Sequence, residues 1–177
     1  MSHTIKVNFF SNYKMGDNIC FNLQVLDALY QNNDVVLVKP KIVIQVSLIE
    51  ACLHDFIYRI RTQTTEFKFL DASIRAQIRG HSDNKVYKLD KMIKRCREQL
   101  IMQQNNAFWD VFNELRILRN RTHIQNQYNN WPPDERDGFT IVNLKKAEKS
   151  VYDFFKWMQC EYPRPPHIHQ FNLKFPW

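Results

Sequence analysis

"KIVIQVSLIEACLHDFIYRIRTQ" (residues 41–63) decides the fold class. Its opening, Ile42-Val43-Ile44, is β-branched and on its own suits a strand. The stretch then keeps apolar residues at 42, 46, 49, 53, 56, 57 and 60, the spacing of three and four that a helix lines up on one side. A half-buried strand alternates every second residue and ends sooner. Ile44, Leu48 and Cys52 widen the stripe, which predicts a central helix covered on most sides. Pro40, just ahead, suits a helix's first turn, where no N–H is needed.

The same period recurs on both sides of it. "GDNICFNLQVLDALYQNN" (16–33) predicts a first helix capped by Asp17 or Asn18, with Ile19, Leu23, Leu26 and Leu29 or Tyr30 inward. Residues 66–85 read as a connector, with a short helix ending near Gly80. A third helix spans 86–104, with Leu89, Met92 or Ile93, Cys96 and Leu100 inward. A fourth spans 106–123, with Phe108, Val111 or Phe112, Leu115, Leu118 and Thr122 inward. After a loop at 126–139, a fifth spans 143–162 on Leu144, Ala147, Val151, Phe154 or Phe155 and Met158. The expected fold is all-α: an up-and-down bundle of four to five helices as one domain over 1–163, then an extended, proline-rich tail over 164–177. The tail's aromatic residues suggest that it lies on the bundle or on a partner.

Composition narrows the function. The 177 residues fit one domain, and 44% apolar with 14% aromatic content argues against disorder. Only three glycines occur, so no glycine-rich phosphate loop is present, and no cofactor is expected. A formal charge of +7 points to an anionic partner, nucleic acid first, or to solubility alone. Cys20, Cys52, Cys96 and Cys160 form no C-x-x-C pair and no zinc spacing, which suits reduced thiols. The N-terminus lacks a signal-peptide layout. The most apolar stretch, "IVIQVSLIEACL", is interrupted by Gln45 and Glu50 and is too short to span a bilayer. No membrane partner is expected, and the expected location is cytoplasmic.

The chemistry gathers in "NELRILRNRTHIQN" (113–126). On a helix, Arg116, Asn120 and His123 fall within roughly 40° of one another, with Arg119 about 60° to one side and Asn113 about 60° to the other. Arginine presents a rigid fork of donors that matches phosphate oxygens. Histidine titrates near neutral pH and transfers protons. Asparagine can hold a phosphate or a ribose hydroxyl, or fix the histidine tautomer. Such a set can hold an RNA 2′-hydroxyl against its neighbouring phosphate and stabilise the developing charge. The plainer account is a helix C-terminus, where the dipole alone favours cations.

A late helix of an all-α bundle ending in "LRNRTH" resembles the HEPN family. Its motif is an arginine, commonly followed by a polar residue, and a histidine, with four to six residues between the two. Arg116 and His123 have six residues between them, within that spacing. Arg119 is followed by Asn120, as the motif arginine often is, but only three residues separate it from His123. Either arginine remains a candidate. Arg75 to His81 also meets the bare spacing, but it crosses Gly80 in the connector. The resemblance covers about residues 41–159. It implies a metal-independent endoribonuclease, acting as a homodimer whose two motifs meet, often within a toxin–antitoxin or anti-phage defence system. The partners implied are RNA, a second copy, and an antitoxin or other defence-system protein. Some members are silenced through a tyrosine two residues after the histidine; Gln125 stands there, so that control is not expected. The alternative is a catalytically silent HEPN-like module that binds a nucleotide, RNA or a protein through the same basic face.

Other residues are weaker candidates. Glu50, on the apolar second helix, could pair with Arg116 or Arg119 and orient it, or sit in a structural ion pair. His54 and Asp55 are adjacent, so on a helix they point apart. His167 and His169 could bind metal with Cys160, but a fourth ligand is missing. "KMIKRCR" (91–97) is a solvated basic face or a phosphate track beside the site.

Overall fold

A computed structural model of the chain describes residues 3–10, 13–62, 72, 76, 88–98, 106–121, 135–164 and 170–177. These form an α-helical bundle with one small two-stranded sheet. Its hub is the helix that the opening stretch predicts, α2 (Val38–Thr62). Asp34 accepts a hydrogen bond from the Val36 N–H (3.0 Å) and starts a 3-10 turn, Val35–Leu37, that runs straight into α2. All seven apolar residues of the stripe are buried, with Leu48 and Cys52. Even Lys41, Gln45, Asp55 and Arg59 are buried, because neighbours cover α2 on almost every side.

The other helices pack around it. Helix α1 is Tyr13–Tyr30, α3 Leu89–Glu98, α4 Asn106–Asn120, α5 the short Glu135–Gly138 and α6 Ile141–Glu161. Helix α1 begins ahead of Asp17 and Asn18, the residues that sequence marks as its cap. The cause is tertiary. Gly16 lies so close to the Phe171 ring that a Cβ there would be 2.9 Å from it, so packing on the C-terminal segment recruits the preceding turn. Thr140 caps α6 by accepting from the Asn143 N–H (3.2 Å). Met92 and Ile93 are both buried, as are Phe154 and Phe155, where the helical period left a choice within each pair. Trp109 is buried too, although the period did not mark it.

Contacts fix the helix directions. The Tyr30 hydroxyl donates to Glu148 of α6 and accepts from Gln45 Nε2 (3.0 Å), joining the first halves of α2 and α6. Phe56, in the last turns of α2, meets Tyr162, just past the end of α6, at 4.7 Å, so the two helices run parallel. Helix α4 runs against α6. Phe108 meets Trp157 at 5.8 Å, and further along α4, Glu114 meets Lys146 at 2.8 Å. Helix α4 is therefore antiparallel to α2 as well.

Sequence did not mark the sheet. Strand β1 (His3–Val7) pairs antiparallel with β2 (Phe171–Phe175), His3 opposite Phe175 and Val7 opposite Phe171. Ile5 and Val7 in one strand, and Leu173 and Phe175 in the other, point into the core. The last part of the expected tail is thus extended and belongs to the core, with Trp177 against Tyr30 at 5.9 Å. Among the described residues, no helix is long and apolar enough to cross a membrane. In the expected connector Ala72 and Ala76 are helical, whereas Gly80, Leu100, Thr122, His123, Gln125, His167 and His169 lie outside the described residues.

Candidate functional site

Helix α4 buries Trp109, Phe112, Leu115 and Leu118. Asn113, Arg116 and Asn120 lie at positions i, i+3 and i+7 and stay half-buried. The Arg116 guanidinium donates twice to Asn113 Oδ1, from Nε (3.0 Å) and Nη2 (2.8 Å). An amide oxygen steadies the fork without cancelling its charge. Among the described residues no carboxylate pairs with Arg116.

Arg119 is in a different position. Its Nη2 donates to Glu50 Oε2, an ion pair that crosses from α4 to α2. Both side chains keep about a quarter of their surface, 29% for Arg119 and 25% for Glu50, so water screens the pair. Arg119 Nη1 also reaches Asn120 Oδ1 at 3.4 Å. Glu50 thus orients Arg119 and offsets its charge. The two arginines that sequence leaves as alternatives are unequal: Arg116 has the motif spacing and, among the described residues, no acid at its guanidinium, while Arg119 is held by one.

The end of α4 favours cations. The Arg121 N–H donates to the Leu118 carbonyl (3.2 Å), tightening the last turn, and the remaining carbonyls there carry the negative end of the helix dipole. His123 would follow two residues later, outside the described residues.

The remaining candidates separate. Asp55 turns into the core, where it pairs with Arg59 at 3.2 Å, the two side chains 2% and 1% exposed. His54, half-buried, stands one helical turn after Glu50. On α3, Lys91 and Lys94 are exposed, but Arg97 pairs with Asp110 at 2.8 Å and so ties α3 to α4. Cys160 is exposed, whereas burial pushes the Cys96 thiol up to about 12 and holds the Cys52 thiol well above its usual range, where Asp55 adds to the effect. Neither buried thiol is a nucleophile at neutral pH. Among the described residues, no three His, Cys, Asp or Glu side chains group as a metal site would need.

No protein-family model matches the sequence, no curated protein matches it, and no solved structure matches the fold.

Proposed function

We propose that the chain is a HEPN-type, metal-independent endoribonuclease of a toxin or anti-phage defence system. The observation that carries this reading is Arg116, a steadied guanidinium that meets no carboxylate among the described residues, beside an Arg119 oriented by Glu50 at the end of α4. Arg116 then neutralises the phosphate being cleaved, and Asn120 contacts the ribose or its phosphate. His123 takes the proton from the 2′-hydroxyl, the 2′-oxygen bonds to phosphorus, and the bond to the 5′-oxygen breaks. That oxygen needs a proton from an acid. One histidine cannot be base and acid in the same step, so His123 of a second copy supplies it in a two-fold dimer.

The test is RNA cleavage in the presence of a chelator. Wild-type chain should release fragments ending in a 2′,3′-cyclic phosphate and leave DNA intact, because DNA lacks the attacking hydroxyl. His123→Ala should abolish cleavage while the helical circular dichroism stays unchanged. Mixing His123→Ala chains with wild type should drop activity well below the average of the two, since each mixed dimer has lost its acid or its base. Cleavage unaffected by His123→Ala would overturn the reading. RNA retained but never cut would mark a catalytically silent module that binds through the same face.

A further inference from the structure

Helix α2 is covered on almost every side, but it has one open strip. From Cys52 to Ile60 every residue is buried except His54, which is half-buried, and Tyr58, which is 50% exposed. The two stand four positions apart, so they lie on one side of the helix, about 40° around it and roughly 6 Å along it from one another. Glu50, half-buried one turn earlier, continues the strip and holds Arg119 of α4. Because α4 is antiparallel to α2, the step from Glu50 to His54 runs in the same direction as the step from Arg119 to Arg116. His54 therefore lies on the Arg116 side of the ion pair, and Tyr58 one turn further out. The strip starts at the candidate site and leads away from it.

Rings are a costly choice for these two positions. Lys or Glu would fill a solvated helix position with better helix propensity than Tyr or His. A half-bare tyrosine also forgoes part of the stabilisation that its neighbours Phe56 and Ile57 gain by burial. Packing does not account for either ring: among the described residues, no aromatic ring, cation or hydrogen-bonding group meets the side chain of His54 or Tyr58. Both present a flat face to water beside a pair of arginines.

We propose that His54 and Tyr58 form a stacking platform for single-stranded RNA, holding the bases that flank the phosphate at Arg116. Every base has a π face, so aromatic side chains next to cations bind a strand with little regard for its sequence. The arginines hold the backbone at the head of the strip, the two rings take one base each, and the +7 charge of the chain attracts the strand as a whole. A duplex has its bases already stacked on each other and offers none to these rings. A protein partner would need a wider apolar patch than two rings with arginines at their head. As the track that feeds a cleaved phosphate the platform rests on the ribonuclease reading; as a place where single strands bind it does not.

The experiment is fluorescence anisotropy of a labelled, mixed-sequence single-stranded RNA, alone and annealed to its complement, titrated with the whole chain carrying His123→Ala so that the strand survives. The single strand should bind more tightly than the duplex. Adding Tyr58→Ala should weaken the single strand by about tenfold and leave the duplex unchanged, while Tyr58→Phe, which keeps the ring, should bind as before. His54→Ala should weaken the single strand and His54→Phe restore it. Tyr58→Ala should leave the salt dependence of binding unchanged, because a ring neutralises no phosphate, whereas Arg116→Ala should flatten it. Strand binding that needs the Tyr58 ring, in a chain whose wild type never cuts RNA, would remove the nuclease reading and keep the platform. Single-strand affinity unchanged in Tyr58→Ala, an equal loss in Tyr58→Phe, or a duplex bound as tightly as the single strand would each overturn the platform, and wild-type cleavage would stand without it.

Discussion

Helix α2 carries two acids that meet arginines, and the pairs live in different surroundings. Asp55 and Arg59 lie on one helix, one turn apart, 2% and 1% exposed, with the Arg59 guanidinium over the Phe56 ring at 5.7 Å. Glu50 and Arg119 come from two helices and keep 25% and 29% of their surface. The chemistry is the same and the energetics are not. A sealed pair has given up hydration, so losing either partner strands a charge in a medium that cannot solvate it. An open pair is screened, contributes little to stability, and is free to exchange partners with a ligand. The sealed pair therefore anchors the C-terminal half of α2, and the open pair leaves charge accessible where α2 meets the end of α4.

The largest effect should come from the sealed pair. Asp55→Ala should cost about 3–5 kcal/mol of unfolding free energy, because Arg59 then stays buried without its acid. Urea denaturation measures it, and a loss under about 1 kcal/mol would mean that the pair is solvated after all. Next comes Arg116→Ala, which should lower RNA cleavage by about 10²-fold or more while the urea midpoint holds. A larger loss in Arg119→Ala than in Arg116→Ala would reverse the assignment made from the Glu50 pairing.

A smaller effect is expected at alkaline pH. The folded-state values of Cys52 and Cys96 are raised, so the folded chain keeps these protons after the unfolded chain begins to lose its own. The stabilisation is full below the unfolded value of about 8.5 and is lost as pH rises towards the folded values, by up to about 1.4 kcal/mol per pH unit for each thiol. Unfolding free energy should therefore fall between pH 8 and pH 10, and less steeply in Cys96→Ala. In the native chain a thiol reagent should label exposed Cys160 and spare Cys52 and Cys96. The smallest effect should be Glu50→Gln, within about 1 kcal/mol in stability, with a loss of cleavage milder than that of Arg116→Ala. A large stability loss there would place Glu50 with the structural pairs and erase the contrast.

Much of the bundle is legible in the sequence, because helices bury one face and the period of that face is written in the residues. The stripe on residues 42–60 and the positions Leu89, Cys96, Leu115, Leu118, Leu144, Ala147, Val151 and Met158 all lie inside. Where the reading fell short, the deciding contacts are distant in sequence. The strand at His3–Val7 has the alternation of Ile5, Val7 and Phe9, yet five residues form no stable strand alone, and its partner lies at the far end of the described chain, at Phe171–Phe175. The start of α1 depends on Phe171 packing over Gly16. Glu148, which the apolar period of α6 does not mark, is 4% exposed, held by the Tyr30 hydroxyl and by Lys145 at 2.8 Å.

The candidate site divides in the same way. Local order put Arg116, Arg119 and Asn120 on one helix end and offered Glu50 as a partner for either arginine. Spacing along one helix cannot say which guanidinium a carboxylate on another helix will reach, since that depends on how the two axes cross. The packing of α2 against α4 brought Glu50 to Arg119 and left Arg116 with an amide. Charge balance at a site is a sum over neighbours in space; the sequence supplied the terms, and the tertiary structure chose which of them meet.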